Sequence, residues 1–554
     1  MAPVPGCGNR RANRTLALRL IGAMFRASPS SEASVRRISL IILLPALLLP
    51  AVLAALRLND TSLTPAGAAS RIHGVVADGD GPVAAARVRY KARRESTLTD
   101  AAGRFSLPAR AETGLRVTAW KEGYYIGGTE AAVRPLEIRL ERLPLGDSQQ
   151  YRWIDPRPHA AAEKQCGNCH AQIYEEWRLS PHAHSATNPR FLNLYDGSDA
   201  NGRPHAGWNL MAEYPDGAGV CTNCHAPSVS PGSPAYFDLR RVQGTDALGV
   251  HCDFCHKIQD VNMPALGLTH GRDGLTLLRP LRESLFFGSL DDADQRADTY
   301  APIYQHSLYC APCHEGVVFG VHVYSTYSEW LASPQAAAGQ HCQTCHMTPS
   351  GTLRNIAPGQ GGVPRDPATL ASHAELGERV DRLRRCLHLE IRVSRRPEGA
   401  LAEVTVGLTG VGHQLPTGYI DRQLILLLDA HDGQGAPVEL LAGPQLPAIV
   451  GAWVGRPGRL YAKQPQDFDG QSPVPFWRAR PELLDTRLKP DQPDQSQYLL
   501  AGQAGTLRVR LVYRRFWERV VHEKSWPQDD ITIFDQIVRL EQFVLACRRQ
   551  TLVH

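Results

Sequence analysis

The chain of 554 residues is almost balanced in charge, with 60 Lys and Arg against 55 Asp and Glu and a net charge of +5. So small an excess gives no electrostatic reason to expect nucleic acid as a partner. Methionine is scarce: there are five, and after Met211 only Met263 and Met347 lie near a Cys-x-x-Cys sequence. Cysteine is absent from Arg71 to Leu143, which leaves that stretch neither disulfides nor thiolate sites. Acidic residues are nearly missing from the first 37 positions, where Glu32 stands against seven arginines.

That basic segment (1–37) precedes an apolar run from Ile38 to Leu56, a positive-inside flank before a hydrophobic segment. The run is within spanning length, which fits an uncleaved anchor. Pro45, Pro50 and the small residues before Arg57 equally suit a cleaved signal peptide over 38–57. A buried core helix fits less well, because such helices keep some polar face. Under either leading reading, the chain beyond about residue 58 is exported to a periplasmic or other extracytoplasmic space, and the anchor reading adds a tether to the inner membrane. The Arg36-Arg37 doublet is a weak sign of twin-arginine export.

Thirteen cysteines in an exported chain first suggest disulfides. Their spacing suggests something else. Ten lie in Cys166-Gly-Asn-Cys169-His170, Cys221-Thr-Asn-Cys224-His225, Cys252-Asp-Phe-Cys255-His256, Cys310-Ala-Pro-Cys313-His314 and Cys342-Gln-Thr-Cys345-His346. Each is Cys-x-x-Cys-His, the attachment sequence of c-type haem. Two thiols three residues apart share one face of a helical turn and can form thioethers with both vinyl groups, while the following imidazole ligates the iron. Zinc knuckles and redox dithiols are the alternatives. Histidine follows all five pairs, which by chance has a probability of roughly 10⁻⁷, and the spacing between pairs is irregular, unlike a zinc ribbon. The expectation is five covalently bound haem c groups, with His170, His225, His256, His314 and His346 as proximal ligands. From Cys166 to His346 there are 181 residues, about 36 per motif, too few for a separate apolar core around each cofactor. The haems therefore pack closely and form much of the core.

Several further histidines are candidate distal ligands. His182 follows the first motif in Trp177-Arg-Leu-Ser-Pro-His182-Ala-His184, with His184 as fallback. His251 and His341 immediately precede motif cysteines and cannot reach the far face of their own haem. They either ligate a neighbouring haem or hydrogen-bond a propionate. His306 lies one turn before the fourth motif, His373 follows the fifth at a distance that lets the chain fold back, and His413 sits in a Gly- and Pro-flanked turn lent by the next domain. His205, His270 and His322 are weaker candidates. With so little methionine, imidazole ligation dominates.

The first motif with Tyr174-Glu-Glu-Trp177 and Ser180-Pro-His182-Ala resembles the multihaem cytochrome c family that includes the tetrahaem cytochrome of nitrifying bacteria. Tyr327-Ser-Glu-Trp330 through Cys342-Gln-Thr-Cys345-His346-Met347 looks like that family's final haem. The resemblance covers roughly 160–375 and implies an α-helical, loop-rich domain of stacked haems, mostly bis-histidine. Related pentahaem nitrite reductases carry a lysine in one motif, and no Cys-x-x-Cys-Lys occurs here. Nor does any of Tyr304, Tyr309, Tyr324 or Tyr327 declare itself as the cross-linking tyrosine of hydroxylamine oxidoreductase.

The flanking regions read as β. Segments between 71 and 143 alternate apolar and polar residues between Gly, Asp and Pro turns, predicting a small antiparallel sandwich. Asp78-Gly-Asp-Gly-Pro82 and Thr99-Asp100-Ala-Ala-Gly103 resemble a carboxypeptidase regulatory-like, or transthyretin-like, module, which implies a spacer or docking surface and no peptidase. After a charged helical stretch, Leu387–Val393, Val404–Leu408, Leu424–Leu428 and Leu507–Tyr513 predict a C-terminal β-sandwich over 386–547. Cys386 and Cys547 bracket it and either pair or stay as buried thiols. The expected architecture is multidomain: the small sandwich (71–143), an α-helical multihaem domain (150–385) and the second sandwich. The function expected is electron relay between redox proteins, more an electron-transfer protein than an enzyme. The alternative is a multihaem reductase acting on a small nitrogen or sulfur oxyanion at one open haem.

Overall fold

The computed structural model describes residues 70–160, 165–216, 218–282, 284–374, 376 and 380–540. The basic segment 1–37, the apolar run 38–57, Cys7 and Cys547 lie outside the described residues, as does Glu375 of the charged stretch. Among the described residues no helix is long and apolar enough to cross a membrane.

The first β-region has seven strands: β1 Arg71–Ala77, β2 Arg87–Tyr90, β3 Ser96–Leu98, β4 Arg104–Pro108, β5 Arg116–Trp120, β6 Gly127–Glu130 and β7 Leu136–Arg139. They form two sheets, β4-β1-β7 and β3-β2-β5-β6, around a core that includes Val76, Val88, Phe105, Val117 and Ile138. The expected all-antiparallel arrangement needs one correction. The last strand, β7, runs parallel to β1, pairing Gly74 with Leu136. The chain crosses to the other sheet through β5 and β6 before returning, so it comes back beside β1 in the same direction.

The middle region is less helical than expected. Among the described residues its longest α-helices, Ala171–Arg178 and Pro189–Asp196, have eight residues each. The rest is single turns, 3₁₀ segments and three two-stranded ribbons: β8 Ile258–Val261 with β9 Leu275–Leu277, β10 Phe286–Gly288 with β11 Asp298–Tyr300, and β12 Glu315–Val318 with β13 Val321–Ser325. Helices this short have little stability of their own and depend on what they pack against.

The C-terminal region has one sheet of β14 Leu387–Arg396, β15 Gly399–Leu408, β18 Leu440–Ala442 and β21 Asp494–Ala501. The other contains β16 Gln423–Asp432, β17 Pro437–Val438, β19 Gly458–Gln464, β20 Leu484–Asp485, β22 Ala504–Arg514 and β23 Ile531–Arg539. Strand β16 is buried on both faces, as its unbroken apolar run requires. Leu424, Leu426 and Leu428 point into the sandwich core. Ile425 and Leu427 point the other way, into a core shared with Leu194, Tyr195, Trp208, Ala226 and Leu239 of the motif-bearing region. Two buried lysines stitch the same seam. Lys524 Nζ donates to the carbonyls of Asn193, Ser198 and Trp208 (2.8, 3.1 and 2.7 Å). Lys463 Nζ donates to His322 O at 2.8 Å and Ser325 Oγ at 2.7 Å. Burial pulls both ammonium groups down to about 8.

The first sandwich is bound to the middle region by an acidic loop after β10. Arg87 and Arg89 meet Asp291 at 2.9 and 2.6 Å, and Lys91 meets Asp294 at 2.7 Å. Arg116 Nε donates to Asp294 at 2.8 Å, and Arg365 and the backbone N–H of Ala92 both reach Asp292 at 2.7 Å. A Cβ on Gly128 would stand 2.1 Å from the Asp294 carboxylate, so only glycine lets β6 approach the loop this closely. Asp294→Ala strands the buried Lys91 ammonium and should cost about 3 kcal/mol. Urea unfolding of the variant, followed by tryptophan fluorescence, is expected to show that loss; an unchanged midpoint would contradict the clamp.

Candidate functional site

Each Cys-x-x-Cys-His folds as one helical turn: Cys166–Cys169, Thr222–His225, Cys252–Cys255, Ala311–His314 and Cys342–His346. The turns are gathered together. Thiols of different motifs lie close enough to perturb one another in three pairs, Cys166 with Cys252, Cys224 with Cys313 and Cys310 with Cys342. Cys255 also feels Cys313. The motifs thus adjoin in the order first, third, fourth, fifth, with the second attached to the fourth. Close approach at the second motif again requires a glycine, because a Cβ on Gly271 would meet Asn223 O at 2.2 Å.

Backbone carbonyls fix three motif imidazoles. Nδ1 of His170, His225 and His256 lies 2.7, 2.9 and 2.6 Å from the carbonyl oxygens of Ile356, Ser185 and Phe287. A carbonyl can only accept, so Nδ1 carries the proton and Nε2 keeps its lone pair, the tautomer of a metal-ligating histidine. His346 is set the other way: Arg382 donates to its Nδ1 at 2.8 Å, and ligation through Nε2 requires that contact to open or the Nε2 proton to leave.

The remaining candidates fall into two groups. The ring centres of His182 and His314 lie 6.2 Å apart with the planes at 66°, and those of His346 and His413 lie 6.4 Å apart with the planes at 29°. Two metal–nitrogen bonds plus the distance from each nitrogen to its ring centre add to roughly 6 Å, so both pairs have the span of two axial ligands on one metal. His413 donates Nδ1–H to Gln414 O at 2.9 Å, which frees its Nε2. His373 sits beside His256 and His170, and burial followed by those neighbours pulls it down to about 4. His251 and His341 are different. The Phe254 N–H donates to His251 Nδ1 at 3.2 Å, and the Ser307 N–H to His341 Nδ1 at 3.2 Å. Each neutral ring then carries its proton on Nε2 and has no lone pair there for iron. His306 stacks on His341 at 4.9 Å, too close for a metal between them. Of the weaker candidates, His270 Nε2 is engaged by Gly267 O and Val317 O, His322 Nε2 pairs with Glu315 at 2.6 Å, and His184 Nε2 reaches Arg178 O. His205 takes a left-handed backbone conformation (φ 59°) in an exposed turn.

The residue set fits haem. Burial lowers His182, His225, His256, His314, His373 and His413. By accessible surface His314 is exposed and the other five are half-buried. The neutral imidazoles that result are the form that binds iron.

Several supporting residues are not evident from the sequence pattern around the motifs. Glu176 accepts from the His373 N–H at 2.7 Å and Ser372 Oγ at 2.9 Å. Glu329 accepts from the Gln414 N–H at 3.1 Å and Thr417 Oγ1 at 2.9 Å, and is paired with Arg487 at 2.6 Å. Trp177 Nε1 donates to Val250 O at 2.9 Å, and Trp330 Nε1 to Gln340 O at 2.8 Å, each acceptor being the residue before a His-Cys pair. One signal marks all four: Glu-Trp-x-x-Ser-Pro occurs at 176–181 and again at 329–334. In both copies the glutamate holds a histidine-bearing loop and the tryptophan holds a motif. Lys257 carries no such signal. It is fully buried, ion-paired with Asp253, and its ammonium lies 3.9 Å from the Phe286 ring centre.

Residues 165–257, which carry the first three motifs, match the family model described as cytochrome c554 and c-prime. No curated protein matches the chain. Among solved structures, a penta-haem cytochrome c552 from Thermochromatium tepidum is similar with a TM-score of 0.52 and 22% identity over 68% of this chain and 97% of that one. Residues 165–257 are thus similar to that cytochrome family, and the chain shares the fold of a penta-haem cytochrome c.

Proposed function

We propose that the chain is an exported pentahaem cytochrome c that passes single electrons between protein redox partners. The observation that carries this reading is the proximity of thiols from different motifs, first to third, third to fourth, second to fourth and fourth to fifth, which gathers five attachment turns into one array. Haem c, when bound, supplies the one-electron change between Fe(III) and Fe(II).

The protein's own residues do the rest. The ten motif cysteines attach the groups, and the five motif histidines bind from one side. His182 and His413 would hold the fourth and fifth groups together with His314 and His346, and His373 would serve the first or third. Carbonyl-fixed Nδ1–H groups raise the basicity of the proximal rings and lower the potential. His251 caps its own motif helix and His341 accepts from the Ser307 N–H, and each keeps an Nε2–H to donate, which favours the second of their two expected roles; His306 supports His341. The fifth motif has no buried residue in its helix and Cys345 is exposed, which makes this end of the array the contact for a soluble partner. The first sandwich, read as a carboxypeptidase regulatory-like module, serves as a docking surface.

Intact mass of the purified holoprotein should show five haems, and redox titration should show all of them reduced and reoxidised; fewer than five attached groups would end the reading. His413→Ala and His182→Ala should each turn one haem high-spin in the oxidised EPR spectrum while the mass keeps five. His251→Ala should leave the spin states unchanged and cost about 1 kcal/mol through loss of its cap. A new high-spin signal there would make His251 a ligand instead. Glu329→Gln removes the charge that pairs with Arg487 and should loosen the His413 loop, giving a partial high-spin signal in the same experiment.

A further inference from the structure

Two lysines are buried at the seam between the middle region and the second sandwich, and their hydrogen bonds set them apart. Lys524 donates to three backbone carbonyls, which can only accept. Without its proton it would turn a lone pair onto an acceptor, so it stays an ammonium. Lys463 donates to the carbonyls of His322 and Val323 at 2.8 and 3.4 Å and to the Ser325 hydroxyl at 2.7 Å. That third partner can reverse. Ser325 Oγ–H donates to Glu329 when Lys463 is an ammonium, and is free to turn and donate to the Lys463 lone pair when it is an amine. The two remaining N–H groups then keep both carbonyls, and the Glu329 oxygen keeps Arg487 at 2.6 Å. Lys463 is therefore hydrogen-bonded throughout with or without its proton, and only a hydroxyl hydrogen moves.

The same chain of hydrogen bonds runs on to His413. Glu329 accepts from the Gln414 N–H, and His413 donates to the Gln414 carbonyl. Glu329 and Arg487 act electrostatically on both Lys463 and His413. Resting on the reading that His346 and His413 hold the fifth group, we propose that Lys463 binds a proton in step with that group, gaining one when the group is reduced and losing it on reoxidation. The electron comes from a protein redox partner and the proton from solvent: Fe(III) becomes Fe(II), the amine becomes an ammonium, and the desolvated region gains no net charge. Lys463 already stands near the balance this requires. Burial and then Arg487 lower it, to about 8, against the opposing pull of Glu329, Asp485 and Glu315. Glu315 pairs with the partly exposed His322 ring, and the partly exposed Asp485 pairs with Arg487, so the cluster meets solvent at two points.

The test is a potentiometric titration of the holoprotein at several values from about pH 6 to about pH 10, followed through the low-spin EPR signal that His413→Ala removes. The midpoint potential of that component is expected to fall as the pH rises through the region near 8. The reduction equilibrium should change by at most about tenfold per pH unit, the limit for one proton per electron. Reduction in weakly buffered solution in the same range should draw protons from solvent, read with an indicator dye. Lys463→Arg keeps the charge and the donors but does not titrate in this range, so it should keep five haems by mass and lose both effects. A potential that does not vary with pH overturns the proposal. So does a Lys463→Arg variant with the wild-type dependence, which would assign the proton to another group such as a haem propionate. If Lys463→Arg loses haem by mass, Lys463→Gln takes its place, removing the titrating group without added bulk. If His413→Ala removes no low-spin signal, the ligand assignment fails and this proposal with it. The relay reading survives any of these failures, because haem content and reversible reduction test it separately.

Discussion

The constraint on which this structure depends is a shortage of chain. A region with about 36 residues per attachment motif cannot bury enough of its own apolar surface to stand alone. It solves this by sharing. Strand β16 turns alternate side chains into two cores, one inside the second sandwich and one against the motif-bearing region. Lys463 and Lys524 close the same boundary by donating to backbone carbonyls of the middle region. The two sandwiches and the middle region thus pack into one compact unit from Ser70 onward.

Much of the candidate site was legible because thioether attachment imposes a strict local spacing. The ten cysteines and five following histidines could be read from five-residue windows. The long apolar run of β16 and the alternating strands of the first sandwich were legible for the same kind of reason, a period written into consecutive residues. What escaped depended on distant partners. Nothing local distinguishes His251, whose Nδ1 accepts from a backbone N–H, from His413, whose Nδ1–H donates to a backbone carbonyl. The helical content of the middle region was overestimated because the residues there are placed by what they surround and not by any helical period. The parallel pairing of β7 with β1 was likewise a matter of the return path.

The repeated Glu-Trp-x-x-Ser-Pro segment is an intermediate case. Each half is weak as a motif, yet the two copies do the same work at opposite ends of the array, one fixing the His373 loop and the other the His413 loop. The copies diverge where position 182 is histidine and position 335 is glutamine. The first copy therefore sets an imidazole, His182, beside His314, whereas the imidazole beside His346, His413, comes from a loop of the following sandwich.

The acidic clamp has a mechanical side. Asp291, Asp292 and Asp294 hold the first sandwich on the loop that immediately follows β10, and the carbonyl of Phe287 in β10 is the one that orients His256. The Ile126 N–H also binds Asp298 O, on the strand that pairs with β10. A pull on the N-terminal side of the molecule is therefore borne within a few residues of the third motif's imidazole. Movement of the first sandwich therefore has a short lever on the carbonyl that orients His256.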